Sequence, residues 1–424
     1  MKNVKLRLYQ RFEPAIRSLR AVQYHLAHRL RALPGTEGAV HVIFLVQRPE
    51  IWNSVRTVFE AMVSDPRFRV TAALLPEKHG EDWTYAAAGM EPYFRGYPAV
   101  KLLRLYDGGR WTDIAALTPD YIFLARPYRN EYPAAYALER LADIAPLCYV
   151  PYGYSILRDD RMQAIVYDAY LLYHVRYLFA PNENAAAFCR RHLRLLETLG
   201  VRKIQTLGYP RFDGATEPPA QRTAGPMTVL WTPRWTTERE AFNKQSGFFD
   251  YKDAILRLVA AHPGDFRLLL RPHPQMFSHF EAVGAMTGEE AAVFRARFAP
   301  ESGAELDRAA DYRRGFDAAD VLLSDYSSLL IEFFLTGKPV IYCDDEEMIS
   351  EECRPVFRSF YHARTWPEIE GLLHMLRRGD DPLRADRLRA RADFLRGQPK
   401  NAGKAIAAFL LSEEERHGKG GTSA

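Results

Sequence analysis

The sequence predicts an α/β protein made of two doubly wound domains, each with a central parallel sheet. Its 424 residues exceed the usual size of a single domain. Short, continuous apolar runs alternate with segments of helical periodicity, as in parallel sheets that helices cover on both faces. This alternation stops at residues 208–226, which are rich in Gly and Pro, and then begins again. We expect ligands in a cleft between the domains, at the carboxyl ends of the strands.

A basic, amphipathic helical arm is predicted over residues 1–38. Residues 1–31 contain eight Lys or Arg residues and one acid, Glu13. Apolar side chains recur there at steps of three or four and predict one helix face, interrupted by Gln23: Tyr9, Phe12, Ile16, Leu19, Leu26 and Leu30. Such a helix binds an anionic membrane surface, or it packs on its own domain with a solvated basic face.

The first α/β domain is predicted over residues 39–210. Its strand-like runs cover residues 40–46, 68–75, 120–125, 146–152, 177–181 and 201–208. Helical segments lie between most of these runs, the first of them near residues 51–64. Residues 211–226 are predicted to be a linker because Gly, Pro and small polar residues dominate there.

The second α/β domain is predicted over residues 227–385. Its strand-like runs cover residues 227–233, 266–274, 304–308, 320–325 and 339–345, with helices near 250–261, 327–335 and 367–377. Residues 386–424 are predicted to hold a C-terminal helix and a disordered tail.

The composition indicates a globular protein of the cytoplasm. A net charge of +4 is small for this length, so we expect no nucleic-acid partner. The four cysteines show no CxxC spacing, which favours reduced thiols and argues against structural zinc. No apolar run approaches the roughly 18 residues that a membrane span needs. We therefore expect any membrane contact to be peripheral, on the inner face of the cell membrane.

The stretch SDYSSLLIEFFLTGKPV, residues 324–340, predicts a strand, a tight turn and a helix. Asp325 ends the strand and is a candidate contact of the nucleotide donor. Ser327 is placed to cap the helix, and Ser328 follows it. Free amides at a helix start, together with two hydroxyls, form a seat for a phosphate or diphosphate. Glu332 lies about one turn further on and could accept hydrogen bonds from a ribose. The alternative is a plain helix cap and an exposed glutamate.

Two other loops carry polar residues at the end of an apolar strand. In LLLRPHP, residues 268–274, prolines restrict the aim of Arg271 and His273, and this pair suits a diphosphate that gains charge during transfer. In LWTPRWTTER, residues 230–239, the strand delivers Thr232, Pro233 and Arg234 as candidate donor contacts. The neighbouring tryptophans, Trp231 and Trp235, stack on a base or fill the core.

These motifs carry a resemblance to a known family. GYPRFD (208–213), WTPRWTT (231–237), RPHP (271–274) and SDYSSLLIEFFLTGKPV occur in the order and spacing of the CDP-glycerol glycerophosphotransferases of teichoic acid and capsule synthesis. The resemblance implies a GT-B architecture of two Rossmann-type domains, with the CDP-activated donor in the second. It also implies that Ser327 and Ser328 hold the diphosphate, that His273 contacts the transferred phosphate and that Glu332 meets the ribose.

The first domain departs from the family pattern. Characterised members are similar in having a Trp-His-Gly-Thr type motif, whose histidine is the expected base for the acceptor hydroxyl. The matching strand here reads PLCYVPYGYSI, with Tyr152 and no histidine. Tyr152 and two carboxylates, Glu50 and Asp159, are therefore the candidate bases. Gln47 and Arg48 share the first loop with Glu50.

We therefore expect a transferase that moves a glycerol-phosphate-like or sugar unit from a nucleotide donor to a polymeric or lipid-linked acceptor. A lipid-linked acceptor favours membrane contact by the arm. No tightly bound cofactor or metal is expected, although the acidic run 344–347 could recruit a divalent cation loosely. Two alternatives stay open. One is a nonhydrolysing UDP-sugar 2-epimerase, and the other is a catalytically inactive nucleotide-binding partner in a polymer-synthesis complex.

Overall fold

The computed structural model describes residues 15–28, 38–79, 82–85, 89–158, 160–215, 218, 225–237, 246–309, 311–344 and 349–416. The strands are β1 (Val40–Val46), β2 (Phe68–Leu74), β3 (Glu77–His79), β4 (Asp82–Thr84), β5 (Lys101–Arg104), β6 (Tyr106–Asp107), β7 (Arg110–Trp111), β8 (Tyr121–Phe123), β9 (Leu147–Tyr149), β10 (Val175–Phe179), β11 (Lys203–Gln205), β12 (Met227–Thr232), β13 (Phe266–Leu270), β14 (Ala304–Leu306), β15 (Val321–Ser324), β16 (Val340–Tyr342) and β17 (Tyr361–His362).

The helices alternate with these strands along most of the chain. They are α1 (15–28), α2 (Pro49–Trp52), α3 (Arg56–Val63), α4 (Glu91–Phe94), α5 (Leu138–Ile144), α6 (Asp160–Val166), α7 (Ala169–His174), α8 (Glu183–Thr198), α9 (Phe248–Ala261), α10 (Met276–Ala282), α11 (Gly288–Ala296), α12 (Arg313–Ala318), α13 (Leu329–Phe334), α14 (Arg354–Phe357), α15 (Trp366–Arg377), α16 (Arg384–Arg396) and α17 (Ala402–Arg416). The alternation of strand and helix confirms the predicted α/β class.

The chain divides into two compact units. Unit 1 comprises residues 1–155, 160–213 and 399–424, and unit 2 comprises residues 156–159 and 214–398. Within the C-terminal segment 386–424, α16 therefore lies in unit 2 and α17 in unit 1.

Unit 1 is built on a seven-stranded parallel sheet of order β11-β10-β9-β8-β1-β2-β5. Every residue of β1 is buried, as expected for a strand that helices cover on both faces. The chain builds the sheet outward from β1 through β2 to β5, then crosses back to β8 and continues to β11. The point where the direction reverses, between β1 and β8, is the topological switch point of this sheet.

The C-terminal helix α17 completes unit 1 by packing against α3. Asp213 accepts hydrogen bonds from the amides of Ala402 and Gly403, both at 2.8 Å, and from the Thr57 hydroxyl at 2.7 Å. A carboxylate at a helix start satisfies amides that lack partners within the helix. Gly403 lies so close to α3 that a Cβ atom there would stand 2.3 Å from the Thr57 carbonyl oxygen. Asp213 and Gly403 thus fix α17 on the first sheet.

Unit 2 is built on a six-stranded parallel sheet of order β14-β13-β12-β15-β16-β17. The chain builds outward from β12 to β14 and then returns to β15, so the switch point lies between β12 and β15. Trp231 is buried and stacks on Phe248 with ring centroids 5.7 Å apart, which makes it part of the core. Trp231, the residue before Thr232 at the end of β12, therefore belongs to the hydrophobic core of unit 2 and not to a base-stacking surface.

Helix α1 packs on unit 1 through a face that the apolar periodicity did not predict. Ala21 and His25 are buried, and the His25 ring lies 2.6 Å from the Arg176 guanidinium. Leu19 and Leu26, which belong to the predicted apolar face, are 71% and 54% exposed. The other predicted residues of the arm, in 1–14 and 29–37, lie outside the described residues.

Two further properties bear on function. The four cysteines are free, and three of them are buried. None of the helices that the structure describes is both long and apolar enough to cross a lipid bilayer.

Candidate functional site

The candidate site of unit 2 lies at the switch point between β12 and β15. Thr232 and Ser324 end these two strands side by side, and their hydroxyls share a 2.7 Å hydrogen bond. Ser324 Oγ also lies within hydrogen-bonding distance of the Thr232 carbonyl, at 3.0 Å. These buried contacts hold the two strand ends together, so the predicted Thr232 hydroxyl is engaged within the protein.

Asp325 clamps the loop that follows β12. Its Oδ2 atom accepts hydrogen bonds from the amides of Arg234, at 3.0 Å, and Gly247, at 3.1 Å. Burial raises the pKa of Asp325 to about 6, and the nearby Asp344 carboxylate acts in the same direction, while the two amides oppose the shift. Asp325 therefore joins the β15 turn to both ends of the segment between Arg234 and Gly247.

Two neighbouring side chains hold the Arg234 guanidinium in place. Its Nε donates to the Thr236 hydroxyl at 2.9 Å, and its guanidinium lies 4.9 Å from the centre of the Tyr326 ring. The residue is 9% exposed. Fixed in this way beside Asp325, the guanidinium is a preorganised cationic group at the switch point.

The two predicted phosphate serines differ in their contacts. Ser327 Oγ accepts a hydrogen bond from the Leu329 amide at 3.2 Å, so this hydroxyl serves the start of α13. Ser328 occupies the cap position, and its side chain makes no capping hydrogen bond. The helix ends as predicted, because Gly337 adopts a left-handed conformation with φ of 74°.

Glu332 lies in a different environment from the one that its spacing suggested. It is 8% exposed, and its carboxylate accepts a hydrogen bond from the Tyr312 hydroxyl. The Arg271 guanidinium lies 6.0 Å from the Tyr312 ring centre. Glu332 is therefore a buried residue beside Tyr312, an aromatic residue that belongs to none of the predicted motifs.

Arg271 is anchored at the end of β13. Its Nη1 atom pairs with Asp307 at 2.8 Å and donates to the Ala309 carbonyl at 2.9 Å. The Asp307 side chain is 5% exposed. This carboxylate, which follows β14, orients Arg271, and no motif in the sequence indicated it.

His273 is exposed and its ring orientation is fixed. Nδ1 accepts a hydrogen bond from the Gln275 amide at 3.2 Å, and the ring stacks on Trp235 with centroids 5.4 Å apart. An amide can only donate, so Nδ1 carries no hydrogen and the neutral ring is protonated at Nε2. Trp235 also meets His279 edge to face at 5.0 Å. Trp235 therefore contacts two histidines, and the neutral His273 ring carries its hydrogen on Nε2.

Two of the three candidate bases, Tyr152 and Glu50, lie in unit 1. The Tyr152 and Tyr128 hydroxyls are 2.7 Å apart, and burial raises the pKa of Tyr128 well above its usual value, so Tyr128 keeps its proton. Glu50 lies in α2, directly after the first loop. Asp159 lies outside the described residues.

No group of three or more His, Cys, Asp or Glu side chains within the described part of the chain is placed to hold a metal ion. Of the acidic run 344–347, the structure describes Asp344.

The chain resembles known proteins in sequence and in structure. The family model described as CDP-glycerol:poly(glycerophosphate) glycerophosphotransferase matches residues 159–378, more than half of the chain. No curated protein matches the sequence of this chain. The wall teichoic acid polymerase TagF superposes with a TM-score of 0.54 at 14% identity, over 97% of each chain. The S. aureus MnaA–UDP co-structure superposes with 0.53 at 12% identity, over 91% of this chain and 99% of that one.

A third similar structure is the UDP-GlcNAc 2-epimerase from Neisseria meningitidis bound to UDP-GlcNAc. It superposes with a TM-score of 0.51 at 11% identity, over 89% of this chain and 99% of that one. At such identities these likenesses concern the fold, which they confirm as GT-B-like.

Proposed function

Since the chain belongs to the CDP-glycerol:poly(glycerophosphate) glycerophosphotransferase family, we propose that it transfers glycerol phosphate from CDP-glycerol to a hydroxyl of a cell-surface polymer or its lipid-linked primer. It is a GT-B-like transferase, and its second unit carries the groups that suit a nucleotide donor. One observation carries this proposal. At the switch point of unit 2, two hydrogen-bond donors, Arg234 and His273, are each held in place by neighbouring residues.

In the proposed reaction the acceptor oxygen forms a bond to the phosphorus that bears the glycerol. The bond from this phosphorus to the bridging diphosphate oxygen breaks, and CMP leaves with that oxygen. The acceptor proton passes to a base, for which Glu50 and Tyr152 are the candidates. Negative charge develops on the leaving phosphate. Hydrogen-bond donors that already point toward this phosphate therefore stabilise the transition state.

The second unit supplies these donors in our proposal. The His273 Nε2–H donates to an oxygen of the transferred phosphate, since Nδ1 is engaged by the Gln275 amide. Arg234 neutralises the leaving CMP phosphate. Ser328, whose hydroxyl makes no capping bond, and Ser327 bind the diphosphate. Glu332 accepts a hydrogen bond from the ribose in place of the one that Tyr312 donates to it.

We also propose that the chain works at the inner face of the cell membrane. Leu19 and Leu26 of α1 are exposed, and Arg20 on the same helix is exposed as well. Arg176 bonds both to His25 of α1 and to the Gly200 carbonyl after α8, so the end of α8 lies beside α1. A helix that exposes two leucines and an arginine suits an anionic lipid surface.

The test of the activity is CMP release from CDP-glycerol by the full chain, with a glycerol-phosphate oligomer as acceptor. We expect release that depends on the acceptor. His273→Ala should lower kcat by about 100-fold, because it removes a donor to the transferred phosphate, and should leave the melting temperature nearly unchanged. His192→Ala, at an exposed histidine of α8 in unit 1, is the control.

Two results would contradict the proposal. Interconversion of a UDP-sugar without an acceptor would favour the 2-epimerase alternative, which the fold also permits. Binding of CDP-glycerol in a thermal-shift panel, with no turnover of any nucleotide donor, would favour an inactive partner of a polymer-synthesis complex.

A further inference from the structure

Helix α2 carries a carboxylate at the switch point of unit 1. Two residues separate the helix from the end of β1, so it lies at the edge of the sheet where ligands of parallel sheets usually bind. Three of its four residues, Pro49, Ile51 and Trp52, are buried. The fourth, Glu50, is partly exposed. The side chain that α2 leaves accessible is therefore an acidic one.

Contacts at both ends hold α2 in place. At its start, the Arg48 guanidinium pairs with the Glu77 carboxylate, whose side chain is 4% exposed. At its end, the Trp52 ring meets Phe59 and Phe94 edge to face, with centroids 5.0 Å apart in each pair. Both phenylalanines are buried. The short helix is therefore fixed on the core of unit 1.

Arg211, from the GYPRFD motif, adds a contact to the middle of α2. It lies in a 3-10 turn, Pro210–Phe212, and its Nη2 donates to the Glu50 carbonyl oxygen at 2.5 Å. Phe212 anchors this turn, since it is buried and its ring centroid lies 5.0 Å from that of Tyr209. The motif thus brings an arginine from 161 residues later in the chain onto the backbone of the acidic residue.

Glu50 suits the role of base better than Tyr152 does. Carboxylates are ionised at neutral pH, whereas phenols keep their hydrogen and can take a proton only by passing their own on. The Tyr152 hydroxyl lies 2.7 Å from the Tyr128 hydroxyl, and burial holds the pKa of Tyr128 well above its usual value. Tyr128 therefore stays neutral and is a poor acceptor for a proton that Tyr152 would have to pass on.

We propose that Glu50 is the base of the reaction and that Arg211 is its positioning residue. The inference rests on the proposed function, since it names the group that receives the acceptor proton. As the acceptor oxygen bonds to phosphorus and CMP leaves, the proton of the acceptor hydroxyl moves to a Glu50 carboxylate oxygen. Glu50 is partly exposed, so this proton then passes to water and the carboxylate is restored. Arg211 acts on the step through the Glu50 backbone.

The test measures kcat and KM for CMP release from CDP-glycerol by the full chain, with a glycerol-phosphate oligomer as acceptor. Glu50→Gln should lower kcat about 100-fold or more and leave the KM for CDP-glycerol nearly unchanged, because it removes the base and no contact of the donor. Arg211→Ala should lower kcat about 10-fold, and Arg211→Lys should recover part of this loss, since lysine can also donate to the carbonyl. Arg190→Ala is the matched control, because Arg190 also donates to a backbone carbonyl of unit 1, that of Ile204.

A double-mutant cycle separates positioning from a general structural role. If Arg211 acts through Glu50, Arg211→Ala should cause little further loss of kcat when Glu50→Gln is already present. A structural defect would instead multiply the two losses. Thermal shifts with CDP-glycerol report whether each variant still folds and binds the donor.

Three results would count against the inference. Full kcat in Glu50→Gln would show that another group takes the proton, and a loss of kcat in Tyr152→Phe beside it would assign that role to Tyr152. Losses that multiply in the double variant would make Arg211 a structural residue. Either result leaves the proposed function standing, since the wild type then releases CMP. No CMP release by the wild type would overturn the proposed function and the inference together.

Discussion

At the scale of single residues, the donor unit is organised by buried polar groups that the motifs only partly reveal. Asp325 was predicted as a contact of the nucleotide donor, and in the structure its Oδ2 accepts hydrogen bonds from the backbone amides of Arg234 and Gly247. Arg271 was predicted as a phosphate ligand, and it is anchored by Asp307. Asp325 and Asp307 therefore position other residues of the site through hydrogen bonds and an ion pair.

Asp325 should make stability depend on pH. Its pKa is about 6 in the folded chain against an ordinary 3.8, so between these values the folded state binds more protons than the unfolded state. The contribution of Asp325 to the free energy of unfolding is therefore greatest below pH 4 and is lost as the pH rises through 6. The loss is about 3 kcal/mol, because the two pKa values differ by about two pH units.

The substitution Asp325→Asn tests this dependence. The asparagine oxygen can accept both amides, since both donate to the same atom, and the side chain cannot ionise. Measured by urea unfolding, the variant should gain about 2–3 kcal/mol relative to the wild type between pH 4 and pH 7. Asp380→Asn, at an exposed position, should show no such change. A stability difference that is the same at both pH values would refute the assignment.

At the scale of elements, two helices of unit 1 have roles set by contacts distant in sequence. Helix α1 turns Ala21 and His25 inward and leaves Leu19 and Leu26 exposed. The first amides of helix α17 donate hydrogen bonds to Asp213, about 190 residues earlier in the chain.

The exposed face of α1 should bind anionic vesicles. Leu19→Lys combined with Leu26→Lys should lower binding to phosphatidylglycerol vesicles about 10-fold or more in a flotation assay, because burial of apolar area is lost. The matched control is Val283→Lys with Val293→Lys, two exposed valines of unit 2. If the leucine variant floats as well as the control, α1 is a structural helix.

The contact between α17 and α3 should be intolerant of one methyl group. In Gly403→Ala the new Cβ would meet the Thr57 backbone, so we expect a loss of about 1–3 kcal/mol in unfolding free energy. Gly371→Ala, at an exposed position of α15 with open space around it, should instead be neutral or stabilising. Equal effects of the two substitutions in urea unfolding would exclude close packing at Gly403.

At the scale of the whole molecule, the sequence predicted the sheets better than the placement of helices and side chains. β1 has the predicted bounds, Val40–Val46, since a strand buried on both faces is a continuous apolar run. Edge strands such as β5 were missed because they are short and largely exposed. The inward face of α1 depends on His174 and Arg176, which no local periodicity reports.

The site was predictable to a similar extent. Motifs located His273 and the β15 turn, because strand ends in a parallel sheet converge on one edge. The partners that orient these residues, Trp235 for His273 and Tyr312 for Glu332, come from other loops and carry no spacing signal.

The return of the chain to unit 1 also orders events during synthesis. Unit 2 comes almost entirely from residues 214–398, whereas unit 1 needs residues 399–416 for its last helix. On the ribosome, therefore, Asp213 and Thr57 meet α17 only after residues 214–398 have been synthesised. The segment that forms unit 2 is therefore complete before unit 1 receives its last helix, and domains generally fold as units during synthesis.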